Sequence, residues 1–78
     1  MISIIVTAYN AEKTIERCLN SILNNKYDDY EIIVVNDGST DKTEEIVQLF
    51  ASEKIRYYYE ENKGVSSARN LGLKEARG

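Results

Sequence analysis

Apolar residues in this chain fall into short unbroken runs, separated by stretches in which they recur every three or four positions. The first run, Ile2-Ser3-Ile4-Ile5-Val6-Thr7, predicts a strand that starts almost at the first residue. Ile15, Cys18, Leu19, Ile22 and Leu23 then keep the i, i+3, i+4, i+7, i+8 spacing of one buried helical face, with Asn10 as its expected cap. Polar residues from Asn24 onward end that helix, and Asp28-Asp29 turns the chain into a second strand. That strand, Glu31-Ile32-Ile33-Val34-Val35-Asn36-Asp37, has a branched apolar centre and reads as buried on both faces. Asp41 and Glu44 have capping-box spacing for a second helix in which Ile46, Val47 and Phe50 face inward. A third strand runs from Ile55 to Tyr59, followed by a polar turn from Glu60 to Lys63. The last helix begins near Gly64, with Val65, Ala68, Gly72 and Ala76 along one side and Gly78 as its C-terminal stop.

Strands alternating with helices imply an α/β fold, a three-layer βαβαβα arrangement around a parallel sheet. Two crossovers of the same hand put the first two helices on one face. The third helix covers the other face if the chain next crosses to the far side of strand one. The topological switch point then falls at the end of strand one, beside Thr7, Ala8 and Tyr9, next to Asp37 at the end of its neighbour. Ligands of open α/β sheets bind at such a point.

Composition narrows the chemistry. With 78 residues the chain makes one small domain, or part of a larger one. A formal charge of −3 provides no basic stripe for nucleic acid. Histidine is absent, so any acid–base step falls to carboxylates, lysine or tyrosine. The single Cys18 excludes an internal disulfide, suits a reducing compartment, and reads as buried filler on its helix stripe. The N-terminal apolar run breaks at Thr7 and has no basic leader, so no signal peptide is expected. No run approaches the roughly 20 apolar residues that span a bilayer, and a cytoplasmic location is expected.

Asp37 ends a buried strand with a charge, which suits a polar ring edge, a ribose hydroxyl or a metal; the competing role is to cap the next helix. Gly38 is expected to hold a backbone angle closed to other residues, while Ser39, Thr40 and Asp41 read as caps. Asp28-Asp29 resembles a metal-binding pair, but it lies at the amino end of the sheet, about 20 Å from Asp37. Tyr57-Tyr58-Tyr59 fits ordinary strand preference as well as a stacking platform. Gly64-Val65-Ser66-Ser67-Ala68-Arg69-Asn70 opens a helix at the carboxyl end of the sheet, where free N–H groups favour anions and Arg69 could add a guanidinium. The alternative for Arg69 is a surface ion pair. No G-x-G-x-x-G follows strand one and no Walker lysine loop is present.

Four segments taken together resemble the N-terminal part of family 2 glycosyltransferases of the GT-A, Rossmann-like fold. They are Ile4-Ile5-Val6-Thr7-Ala8-Tyr9-Asn10, Leu19-Asn20-Ser21-Ile22-Leu23, Val35-Asn36-Asp37-Gly38-Ser39-Thr40-Asp41 and Gly64-Val65-Ser66-Ser67-Ala68-Arg69-Asn70-Leu71-Gly72. By that resemblance residues 1–78 form the nucleotide-sugar-binding segment of an enzyme that transfers a sugar from a nucleotide diphosphate, typically UDP, to an acceptor hydroxyl. Thr7, Ala8 and Tyr9 would line the nucleotide pocket, with Glu12 near it. Asp37 would hydrogen-bond the base, and Arg69 would lie near the diphosphate. Many relatives have Pro where Thr7 stands and a second aspartate where Asn36 stands. In the family, the glycine matching Gly78 is followed by a strand ending in Asp-x-Asp, which binds Mn²⁺ or Mg²⁺ and neutralises the leaving diphosphate.

None of that motif is in these residues, so no metal is expected to be held here and the segment alone is expected to bind nucleotide weakly and be inactive. Strand one would keep an unpaired edge through which the chain could self-associate. Two other readings compete. One is a non-catalytic α/β binding or assembly module. The other, a phosphoacceptor domain, is disfavoured because Ala8-Tyr9-Asn10 occupies the position of the acidic pair it would need.

Overall fold

The centre of the molecule is the strand β2 (Tyr30–Asp37), which the computed structural model places between β1 (Ile2–Ala8) and β3 (Ile55–Glu60) in a parallel sheet of order β1-β2-β3. The structure describes residues 1–24, 26, 28–50 and 54–77. Ile32, Ile33, Val34 and Val35 are all fully buried, as an apolar run between two helical layers requires. Register pairs Ala8 with Asn36 and Asp37 with Glu60, so the three strands end side by side.

Alternation along the strands divides the core in two. Ile32 and Val34 pack with Ala8 against α1 (Ile15–Leu23) and α2 (Thr43–Leu49), through Ile15, Leu19 and Val47. Ile33 and Val35 pack on the opposite face against Ala68 of α3 (Val65–Glu75), so the third helix does cover the other side. Burying a side chain such as Leu19 contributes roughly 1.5–3 kcal/mol. The Cβ of an alanine in place of Gly72 would stand 2.5 Å from Ile5 Cγ2, so the missing side chain is what lets α3 settle onto β1.

Some local expectations fail. Cys18 is exposed, whereas Ile15 and Leu19 of its stripe are buried and Ile22 and Leu23 pack half-buried against the core. Asn10 does not cap α1: Thr14 holds the N-cap position, and Asn10, at φ 49°, is used elsewhere. Glu44 does not close a capping box but accepts a hydrogen bond from the Tyr57 hydroxyl at 2.9 Å. Val65 is exposed, and α3 ends at Glu75 with Ala76 extended. Gly78, expected as its stop, lies outside the described residues.

The face under α3 carries a charged cluster at its amino end. Glu31 is buried and accepts from Ser3 Oγ at 2.6 Å, Arg77 N at 2.7 Å and Arg56 Nη1 at 3.0 Å. Those bonds, the Ser3 hydroxyl first, hold its carboxyl down to about 2 against the opposing effect of burial. Arg56 also donates to the Glu75 carbonyl at 2.7 Å, placing a cation on the carbonyl end of α3. Asp28 and Asp29 lie at this same end, paired with Lys54 and the N-terminal amine and well exposed, as a solvated turn should be.

Candidate functional site

At the carboxyl end, three loops are stitched together by side chains. Asn10 accepts the Thr40 N–H on Oδ1 at 2.9 Å, and its own N–H donates to Ser39 Oγ at 2.9 Å. Its left-handed backbone angle, which asparagine tolerates, aims both groups at the β2–α2 loop. The buried Thr43 hydroxyl accepts from Ala11 N at 2.8 Å and donates to Asp41. Asp41 also accepts from Thr43 N at 2.9 Å and Glu12 N at 3.2 Å. Burial opposes ionisation there, yet the Thr43 and Glu12 donors hold the carboxyl below its usual value. The capping expected of Asp41 is thus widened into a brace between two loops.

Alternation puts Thr7, Asp37 and Glu60 on the α3 face of this rim. Asp37 is only 5% exposed, with Oδ1 accepting from Lys63 N at 2.8 Å and Oδ2 from Gly64 N at 3.0 Å. It serves the start of α3 across the sheet, not the helix that follows it in sequence. This carboxylate already meets the positive end of α3, where an anion was expected. A carboxylate offers about four lone-pair directions, two of which these backbone donors occupy. Gly38 adopts φ 73°, and a Cβ there would lie 2.5 Å from Asn62 N, so the tight turn needs glycine on two counts.

Asn36 is fully buried. Its Oδ1 accepts from Ser39 N at 3.0 Å and its Nδ2 donates to the Tyr57 hydroxyl at 2.9 Å. Burial, then the Glu44 carboxylate, push that phenol up to about 12 despite the Asn36 donor. Tyr57 is therefore a structural hydrogen-bonding residue, while Tyr59 is half-exposed.

The other candidates lie at or near the rim. Ala8 is buried at the tip of β1, Tyr9 follows it at 52% exposure, and Glu12 is half-buried beyond. Arg69 stands exposed on the second turn of α3 and forms no ion pair among the described residues, unlike Arg56. No cavity forms among the described residues, so these groups border an open surface. No cluster of three or more carboxylate or thiol side chains suited to a metal ion occurs among them either. Glu60 is the residue that sequence reasoning passed over. It reads as part of a polar turn, yet it closes β3 beside Asp37, and the alternation of Arg56, Tyr58 and Glu60 was the available signal.

Comparison with known proteins gives this rim a context. The sequence profile described as Glycosyl transferase family 2 matches residues 3–78. An uncharacterized glycosyltransferase, EpsJ of Bacillus subtilis, is 48% identical over 80 residues, covering 100% of this chain and 23% of EpsJ. The crystal structure of Staphylococcus aureus TarS 1-349 in complex with UDP superposes with a TM-score of 0.92 at 35% identity, covering 99% of this chain and 24% of that 1-349 chain. The mannosyltransferase PcManGT from Pyrobaculum calidifontis, in complex with GDP-Man and Mn²⁺, gives 0.91 at 31% identity, with 99% and 24% covered. The chain thus spans about a quarter of the length of each. Its βαβαβα order is that of the N-terminal part of the GT-A fold, and the chain belongs to glycosyl transferase family 2.

Proposed function

We propose that residues 1–78 are the nucleotide-binding segment of an enzyme that transfers a sugar from a nucleotide diphosphate, UDP by preference, to an acceptor hydroxyl. The observation that carries this reading is the state of Asp37. It is a carboxylate at the end of the central strand, fixed by two backbone N–H groups, and in this reading a free lone pair accepts from a base N–H. Thr7, Ala8 and Tyr9 border the base and ribose, and Glu12 lies at the margin. Arg69, exposed and without an ion pair among the described residues, is the cation for the diphosphate. The likeness to TarS bound to UDP and to PcManGT bound to GDP-Man supports the choice of ligand class.

A divalent ion, Mn²⁺ or Mg²⁺, would neutralise the departing diphosphate when bound. The described residues offer no donor set for it, so in this proposal it is held by residues outside this segment. The 78 residues alone then bind nucleotide weakly and transfer nothing. A cytoplasmic setting belongs to the same reading; no helix among the described residues is long and apolar enough to cross a membrane. No strand pairs with the outer edge of β1 among the described residues, and the chain by itself associates through it. Calorimetric titration with UDP tests the central point. Asp37→Asn should weaken binding about tenfold or more, and absence of any UDP binding by the unaltered chain refutes the proposal.

A further inference from the structure

Glu60 closes β3 directly opposite Asp37, and both side chains turn to the α3 face. Asp37 is almost wholly buried and commits one lone pair of each oxygen to a backbone N–H. Glu60 Oε1 meets the Ser67 hydroxyl of α3 at 3.4 Å, whereas Oε2 is buried and has no donor among the described residues. Two ionised carboxylates side by side in such a place repel each other, and a buried anionic oxygen without a donor is costly. A single proton removes both defects. On Oε2 it turns an orphaned acceptor into a donor and cancels one of the two charges.

We infer that Glu60 is a positioning residue for nucleotide binding, holding a proton that it donates toward Asp37 and so leaving the Asp37 carboxylate one free lone pair fixed toward the ligand. The inference rests on the nucleotide-binding reading of Asp37. Burial first, and then the Asp37 carboxylate, push the Glu60 carboxyl up from its ordinary value. The charged groups facing it are Asp37 from β2 and Lys63 from the β3–α3 loop, while α3 supplies the neutral Ser67 hydroxyl; the Ser67 and Lys63 contributions oppose the rise. A neutral Glu60 leaves Asp37 a single anion between two backbone donors. An ionised Glu60 adds a second charge that loosens the turn from Glu60 to Gly64, from which Asp37 takes its donors.

The test uses carbon-detected NMR of the side-chain carboxyls in the nucleotide-free chain, together with binding of a UDP-linked sugar, whose diphosphate diester stays ionised throughout the scan. One carboxyl should titrate above its ordinary value, and Glu60→Gln should abolish that titration. Sugar-nucleotide affinity should fall by up to about tenfold per pH unit above it. Glu60→Gln should bind with a flat profile at the low-pH affinity of the unaltered chain, and Glu60→Ala should bind more weakly than Glu60→Gln at every pH. Ordinary titration of Glu60, or a Glu60→Gln profile as steep as the original, overturns the inference. If the sugar-nucleotide binds at no pH, the nucleotide reading and the positioning role fall together, and the carboxyl titration still decides whether Glu60 holds the proton.

Discussion

Asp37 and Gly64, far apart in sequence, are joined by a 3.0 Å hydrogen bond from the glycine N–H to Oδ2 of the carboxylate. With the 2.8 Å bond from Lys63, it ties the end of β2 to the mouth of α3. The group proposed to read a nucleotide base is therefore also a fastener of the fold. Asp37→Ala should lower stability by about 1–3 kcal/mol, because two backbone donors lose their acceptor in a buried place. Urea denaturation measures this, and an unchanged midpoint would mean that the two N–H groups find water instead.

At the opposite end of the sheet, Glu31 makes stability sensitive to acid. Its folded value of about 2 lies below the ordinary 4.5. A depressed carboxyl stabilises the fold above its ordinary value and loses that contribution as pH falls through the folded one. Stability should therefore decline between about pH 4.5 and 2, and Glu31→Gln should flatten the decline in that window. Denaturation midpoints across the window measure it, and identical profiles for both chains would contradict the assignment.

Asn36→Asp should destabilise this chain. An aspartate can accept from Ser39 N but cannot donate to Tyr57, whose hydroxyl already donates to Glu44. A loss of about 1–3 kcal/mol is expected. Repeating the change in a Tyr57→Phe background should shrink it, and full additivity of the two changes would argue against a direct coupling.

The glycines at Gly38 and Gly64 should differ in tolerance although both have positive φ. Alanine at Gly64 meets nothing within 4 Å and costs only the backbone strain of φ 98° and ψ 162°, about 1–3 kcal/mol. Alanine at Gly38 adds a 2.5 Å clash with the backbone nitrogen of Asn62. Gly38→Ala should therefore be the more destabilising, and the order of their unfolding midpoints decides it.

Strands were the most legible part of the sequence. An unbroken branched run such as Ile32 to Val35 has few places to go but between two layers, and its carboxyl-terminal Asp37 marks the rim. Helix faces were less so. Cys18 lies about 80° around α1 from the line midway between Ile15 and Leu19, far enough to leave the core, although it fits the spacing rule. Asn10 and Glu44 were expected to serve neighbouring backbone and instead bond across the fold, to Thr40 and Tyr57. Such long-range partners leave no trace in local spacing. Glu60 and the Glu31–Arg56 pair depend on strand register, which fixes neighbours only once the sheet order is known.

The most direct measurement of the central claim is a map of backbone amide shifts as UDP is added to the isotopically labelled chain. Shifts should concentrate at Thr7, Ala8, Tyr9, Asp37, Gly64 and Arg69, with a smaller effect at Glu12, and should persist without Mn²⁺. Shifts confined to Asp28, Asp29 and the Glu31–Arg56 end of the sheet, or none at saturating UDP, would contradict it.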